Sequence, residues 1–141
     1  MMREGKNQSF DEILENTKIA AATVFLANGS HAPQIVFSKH GQIGFMLVAD
    51  MQTEDDKDGV AAILDNFRRD CDIVCFVSEA WVGKGLKIKP RDHPERKEVI
   101  VIVITAKTGR REVWTADIIR ERVVNLGDWV KMDGIAGGRM V

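Results

Sequence analysis

The run V-I-V-I-V-I at residues 99–104 constrains the fold of this chain more than any other feature. All of its members are β-branched, and β-branched side chains favour strands because they pack well on a pleated surface. Side chains alternate between the two faces of a strand, so an unbroken apolar run places apolar groups on both faces. The run therefore predicts a central strand that is covered on both sides.

A second apolar strand is predicted at residues 73–77, and it continues into Ser78, Glu79, Ala80 and Trp81. A polar stretch, residues 82–97, separates the two strands and contains cations, a histidine, glycines and prolines. A loop of this length in a compact domain is usually functional or disordered. The candidate functional residues are concentrated here.

Two helices are predicted. Ser9 and Glu12 have the spacing of a capping box, in which a hydroxyl and a carboxylate satisfy free amides of the first turn, so a helix begins at Phe10. It ends at Gly29, because glycine tolerates the left-handed conformation of a helix stop. The acidic residues 52–59 lie at the N-terminus of the second helix, whose apolar positions have helical spacing at Val60, Ile63, Leu64 and Phe67.

The remaining elements are strands. Residues 35–37 and 44–48 flank a turn in which Gly41 accepts a positive φ, which predicts a hairpin. Residues 112–119 form a further strand. The order α-β-β-α-β-β-β predicts an α+β fold, an antiparallel sheet of about five strands with the helices packed on it.

This order describes one domain, for which a length of 141 residues suffices. Residues 1–8 are polar and predict a flexible N-terminus, and residues 9–122 make up the α+β domain. Residues 123–141 predict a loosely structured C-terminal extension, since short apolar pieces alternate there with glycines.

Charge and hydropathy argue against several function classes. The formal net charge is −1, so no overall positive field attracts nucleic acid or anionic lipid. No apolar run approaches the ~20 residues of a membrane-spanning helix. The first residues lack the apolar core of a secretory signal. The thiols of Cys71 and Cys75 would lie ~13 Å apart along a strand, which predicts buried free thiols and a cytoplasmic protein.

The buried run at residues 99–104 also predicts a homodimer. If both helices cover the same face of the sheet, the C-terminal tail, a second copy or another partner has to cover the other face, and of these a second copy is predicted. Leaving that half of the run in water would cost roughly 1.5–3 kcal/mol per side chain.

The main candidate site is centred on Glu79, which strand alternation places in a row with apolar residues. A carboxylate there has to meet a cation or carry a proton, because burial of its charged form is unfavourable. Arg91, Arg96 and Lys97 are near enough in the sequence to supply the cation.

Two interpretations of Glu79 stay open. In the first, a structural ion pair attaches the polar stretch to the end of the sheet. In the second, Glu79 is a general base, His93 carries the proton and Arg96 holds an anion. The first is favoured because no nucleophile-elbow or other acid–base motif accompanies the pair.

No metal site or cofactor is predicted. His31, His40 and His93 lie in separate loops without metal-ligand spacing, and the acidic residues 52–59 fit a helix cap better than a calcium loop. The G-K-G at residues 83–85 lacks the rest of a phosphate-binding loop. The basic residues of the polar stretch, with Trp81 as a stacking surface, offer only a weak nucleic-acid signal.

Two motifs support a resemblance, S-E-A-W at residues 78–81 and D-H-P-E-R-K-E at residues 92–98. The chain resembles a group of small, functionally uncharacterised bacterial and phage α+β proteins over most of residues 10–120. The resemblance implies that the strand end and the second motif form one unit. It implies no activity, cofactor or catalytic residue.

The sequence therefore predicts a binding or assembly protein whose polar stretch contacts a protein partner through Trp81, Arg91, Arg96 and Lys97. The alternative is a small hydrolase-like enzyme with Glu79 and His93 as its acid–base pair. Whether the chain is an enzyme stays open at this point.

Overall fold

The computed structural model describes residues 9–47, 54–82 and 97–132. Within these ranges the helices are α1 (Phe10–Asn28) and α2 (Glu54–Asp70). The strands are β1 (Gln34–Lys39), β2 (Gln42–Leu47), β3 (Ile73–Val82), β4 (Lys97–Ala106), β5 (Arg111–Arg120) and β6 (Val124–Met132).

All the strands belong to one antiparallel sheet with the order β2-β1-β3-β4-β5-β6. The two central strands, β3 and β4, pair along their whole length, from Ile73 opposite Ala106 to Val82 opposite Lys97. The predicted α+β class and the antiparallel sheet are confirmed.

The sheet has six strands, so the prediction of about five is wrong. The additional strand is β6, in the stretch that the sequence predicted to be loosely structured. A register irregularity between Ala116 and Ile118 explains why its pattern was not recognised. Across it, Leu126 and Trp129 both pack on the α1 side although they are three residues apart, a spacing that a regular strand does not show.

The helices pack on opposite faces of the sheet. Side chains of α1 form one cluster with alternate residues of the central strands, including Cys75, Ile100 and Ile102. Side chains of α2 form a second cluster with Val74 and Phe76 of β3 and with β1. Adjacent residues of one strand therefore enter different clusters.

The central strand β4 is buried on both sides, as the sequence predicted. Ile100, Ile102 and Ile104 belong to the α1 cluster, whereas Val99 and Val103 alternate with them and are also buried. Because the helices lie on opposite faces, the condition on which the homodimer was predicted is not met. The homodimer stays a prediction, and it needs another basis.

Local signals set the ends of α1 and the hairpin turn. The Ser9 hydroxyl accepts a hydrogen bond from the Glu12 amide at 3.1 Å, and the Glu12 carboxylate accepts one from the Ser9 amide at 2.9 Å. Gly29 ends the helix with a φ of 74°. Gly41 has a φ of 81° in the β1–β2 turn, and His40 before it has 52°. The predicted capping box, helix stop and hairpin are confirmed.

The two cysteines are free and buried, as predicted. Cys71 packs in the cluster below α2 and Cys75 in the cluster below α1, so the sheet separates them. Burial raises the pKa of the Cys75 thiol to about 12, although a hydrogen bond from Thr17 opposes this effect. A thiol of this kind behaves as a small core side chain.

A close aromatic contact determines one position of the hairpin. Phe37 of β1 stacks on Phe67 of α2 with ring centroids 4.6 Å apart, and it lies directly opposite Gly44 of β2. A Cβ atom at Gly44 would lie 2.6 Å from Cζ of Phe37. Glycine is therefore needed there for space, since the ring is held by Phe67.

We expect Gly44→Ala to lower the free energy of unfolding by about 1–3 kcal/mol, because the Phe37 ring has to leave its stack. The measurement is urea unfolding followed by circular dichroism. Gly59→Ala is the matched control, since nothing lies within 4 Å of a Cβ atom there. That change lies within α2 and should raise stability by about 0.5–1 kcal/mol. Equal stability of the two variants would contradict the packing account.

Candidate functional site

The structure describes three of the six predicted site residues. Glu79 and Trp81 lie at the end of β3, and Lys97 begins β4. Glu79 alternates with the α1 cluster residues of β3 and so lies on the α1 side of the sheet. The other predicted site residues, Arg91, His93 and Arg96, lie outside the described residues.

Glu79 makes two contacts that the sequence did not predict. Its Oε2 accepts a hydrogen bond from the His31 backbone N–H at 2.7 Å. Its Oε1 lies 3.9 Å from Nη2 of Arg120, at the far end of β5. Among the described residues, the cation beside Glu79 is thus Arg120. It follows Glu79 by 41 positions in the chain, and the pairing of the strands brings the two together.

Lys97 does not contact Glu79. Its Nζ lies 3.2 Å from Oδ1 of Asp117, and both residues lie on the sheet face opposite Glu79. Lys97, which the sequence offered with Arg91 and Arg96 as the cation for Glu79, is therefore not that cation, because strand alternation places it on the other face of the sheet, where it pairs with Asp117.

Arg120 connects Glu79 to the end of α1. Its Nε donates to Oε1 of Glu98 at 2.7 Å, and its Nη1 donates to the carbonyl of Gly29 at 3.3 Å. The last turn of α1 has no basic residue of its own. A guanidinium from β5 therefore supplies the positive charge that the carbonyl end of a helix favours. The hydrogen bond that Arg120 donates to Glu98 and the charges of Glu98 and Glu79 raise the pKa of Arg120.

These contacts favour the structural interpretation of Glu79. Its carboxylate links the segment after α1, through the His31 amide, to the end of the sheet, through Arg120. The His31 imidazole is also engaged, because its Nδ1 lies 2.7 Å from the Ala32 carbonyl, which only accepts hydrogen bonds.

A second group of charged residues joins α1 to β5 and β6. The Nζ of Lys18 lies 3.5 Å from the ring centroid of Trp114 and 3.0 Å from the Glu15 carboxylate. Trp114 donates its Nε1–H to Oε1 of Glu112 at 3.0 Å. The other oxygen of Glu112 accepts hydrogen bonds from Nη2 of Arg110 at 3.0 Å and from its Nε at 3.2 Å.

Glu112 is the centre of this group, and its side chain is only 11% exposed. Burial by itself raises the pKa of this carboxyl. The hydrogen bonds from Trp114 and Arg110 and the charges of Lys131 and Arg110 more than offset burial, so the pKa of Glu112 lies below its ordinary value. A carboxylate paired in this way contributes stability in its charged form.

The sequence analysis missed this group, although a signal for it exists. Lys18 follows Leu14 by four residues, so it falls on the same helix face as the buried residues of α1. Glu112 opens the alternation that continues with Trp114 and Ile118 on the α1 side. A cation and a carboxylate on two core-facing rows indicate a buried charged contact.

Open grooves border the β1–β2 hairpin on both of its sides. The groove on the α1 side has a volume of about 450 Å³ and is lined largely by apolar side chains, among them Ile13, Val36, Ile43 and Phe45. The groove on the α2 side has about 500 Å³ and includes Cys71 and Lys39. The first arises because α1 packs mainly against β3, β4 and β6, so the hairpin strands β1 and β2 are less covered on that face.

Comparisons with known proteins add no family. No family, no curated protein and no solved structure matches this chain. The resemblance predicted from the motifs at residues 78–81 and 92–98 accordingly stays a prediction. Among the described residues, no three His, Cys, Asp or Glu side chains are grouped to hold a metal ion. The helices described here are too short or too polar to cross a membrane.

We expect the wild type to become less stable as the pH falls, because Glu112 then loses its charge. The folded pKa is lowered, so this contribution is fully present above the ordinary carboxyl pKa of 4.5 and is lost as pH falls through the folded value. Glu112→Gln should lower the free energy of unfolding at neutral pH by about 1–2 kcal/mol and reduce its decline in acid. Chemical unfolding across pH measures both effects. Glu121→Gln, at an exposed carboxylate, is the control and should keep the wild-type profile.

Proposed function

We propose that this chain is a binding or assembly protein that acts as a homodimer. In the dimer, β2 of one copy pairs antiparallel with β2 of the second. The segment between β3 and β4 contacts a further protein partner. The proposed location is the cytoplasm, whose reducing conditions suit the buried free thiols of Cys71 and Cys75.

The observation that carries this proposal is the apolar edge strand β2. Its sequence, Q-I-G-F-M-L, has no charged residue and no proline. The side chains of Ile43 and Phe45 are 47% and 68% exposed. In the described part of the chain β2 pairs only with β1, so its outer edge has free backbone groups. Such an edge is prone to pair with another strand.

A second copy is the occupant that fits this edge best. Two identical strands that pair antiparallel form a symmetric contact, in which each copy offers the same backbone donors and acceptors. Phe45 of each copy would come to lie against apolar groups of the other. The net charge of −1 leaves little repulsion between the two copies.

The opposite edge of the sheet is less suited to pairing. The strand β6 carries Asp128 and Lys131, and its pairing with β5 is irregular between Ala116 and Ile118. Charged side chains and irregular pairing both protect a sheet edge. The difference between the two edges favours β2 as the dimer contact.

The proposed partner surface begins at Trp81, whose side chain is 42% exposed at the end of β3. Tryptophan and arginine are enriched among the residues that contribute most to protein interfaces. Lys97 lies across from Val82 at the start of β4, so it borders the same segment. Arg91 and Arg96 complete the proposed surface and lie outside the described residues.

The hydrolase-like alternative has less support. A general base needs a carboxylate oxygen that reaches the substrate proton. Both oxygens of Glu79 already face protein groups, the His31 amide and the Arg120 guanidinium. Among the described residues, the histidine that bonds Glu79 does so through its backbone and not through its ring.

We expect Glu79→Gln to lower the free energy of unfolding by about 1 kcal/mol, because the charged partner of Arg120 and the His31 amide is lost. Thermal and urea unfolding measure the effect, with Glu121→Gln as the matched exposed control. A Glu79→Gln variant as stable as the wild type would instead support a catalytic carboxylate, since catalytic residues contribute little to the stability of the fold.

We expect the wild type to sediment at twice the mass of one chain, and Phe45→Lys to sediment as a monomer. A lysine on the edge strand places like charges together in the symmetric contact. Val123→Lys is the matched control, because Val123 is a similarly exposed apolar residue outside β2, and this variant should stay dimeric. A monomeric wild type, or a dimeric Phe45→Lys variant, contradicts the β2 contact.

A further inference from the structure

A guanidinium lies on the core-facing side of α2. Val60 and Leu64 are buried in the cluster that this helix forms with the sheet. Arg68 follows Leu64 by four residues, so it continues the same row. Its side chain is 24% exposed, and its Nε is buried and has no hydrogen-bond partner among the described residues. An unpartnered buried donor is unfavourable, and more so in a charged group.

A second unpartnered polar atom lies on the same face of the sheet. It is the hydroxyl oxygen of Thr105, which is buried and finds no hydrogen-bond partner in the part of the chain that the structure describes. Thr105 is directly opposite Val74, a member of the α2 cluster, so both side chains point towards α2. Among the described residues, these are the buried side-chain polar atoms that lack a partner.

Chain connectivity brings the two atoms to the same end of the sheet. The Cys71 amide donates to the Phe67 carbonyl at 2.8 Å, so the last turn of α2 leads directly into the start of β3. Val74 lies at that start, with Thr105 opposite it on β4. The row Val60, Leu64, Arg68 therefore runs towards Thr105.

Arg111 adds a second guanidinium to this place. It lies opposite Thr105 on β5, so it belongs to the same face, and it is exposed. Burial lowers the pKa of Arg68, the charge of Arg111 lowers it further, and Asp65 opposes both only in part. The Asp65 carboxylate, 3.6 Å from Nη1 of Arg68, is itself mostly exposed. Two like charges near each other repel, and a bound anion would offset this repulsion and accept from the unpaired donors.

We propose that Arg68, Thr105 and Arg111 form a binding site for a phosphate group. Two guanidinium groups and a hydroxyl, contributed by α2, β4 and β5, match a dianion with more than two oxygens better than a carboxylate with two. The exposed part of the Arg68 side chain gives access from solvent. The phosphate is either the free ion or the phosphoryl group of a larger ligand.

The contrast with Lys18 supports the assignment. Lys18 is the corresponding core-facing cation of α1, and it is satisfied by the Trp114 ring and the Glu15 carboxylate. Arg68 lies on an equivalent row and has the corresponding carboxylate, that of Asp65 at 3.6 Å, but among the described residues its Nε has no hydrogen-bond partner. A purely structural cation would be expected to resemble Lys18.

The test uses the full chain and measures its thermal midpoint and the ³¹P line width of the probe while inorganic phosphate is added at constant ionic strength. We expect saturable stabilisation and line broadening in the wild type. Arg68→Met should weaken binding about tenfold or more. It should not lower the midpoint measured without phosphate, because the unpartnered Nε is removed. Arg69→Met, at the neighbouring arginine that bonds the Asn66 side chain, should bind as the wild type does.

Thr105→Val keeps the test independent of Arg68. The side chains have the same shape, so the fold should be retained, and phosphate binding should weaken. Phenyl phosphate in place of inorganic phosphate separates the two sources: tighter binding indicates a phosphoryl group on a larger ligand, and equal or weaker binding indicates the free ion. An unsaturable response, or one equal in the wild type, Arg68→Met and Thr105→Val proteins, would overturn the proposal.

Discussion

The paired strands β3 and β4 are the part of this structure on which the rest depends. They are hydrogen-bonded along their whole length, and their side chains enter the clusters on both faces of the sheet. Each fully buried valine or isoleucine contributes roughly 1.5–3 kcal/mol. This contribution requires a helix on each side, so α1 and α2 occupy opposite faces. The charged and polar groups of interest, Glu79, Thr105 and Glu112, lie near the ends of strands β3, β4 and β5.

Charged side chains at those ends differ in how well they are satisfied. Glu79 and Arg120 join the end of α1 to the sheet, and Glu112 holds Arg110, which also bonds Asp11 in the first turn of α1. Both groups have partners for their charges, which is the expected state of charges that hold elements together. Arg68 and Thr105 keep unpartnered atoms instead. Incomplete satisfaction is thus confined, among the described residues, to the place where we propose that a ligand binds.

The two sheet edges differ in a related way. Both β2 and β6 have one free side in the described chain, but β6 carries charges and an irregular register while β2 is apolar. Burial of the central strand no longer demands a second copy, since each face has its own helix. The proposal of a dimer therefore rests on the apolar edge strand β2 and not on burial of the central strand.

The sequence by itself determined the α+β class, the capping box at Ser9, the hairpin and the doubly buried central strand, because each depends on neighbouring residues or on strand and helix periodicity. It did not reveal β6, whose alternation is interrupted by irregular pairing with β5. Nor did it identify Arg120 as the described cation beside Glu79, since residues far apart in the chain meet only when strands align. Only the tertiary structure decided which face each helix covers, and thereby which buried charges have partners and which do not.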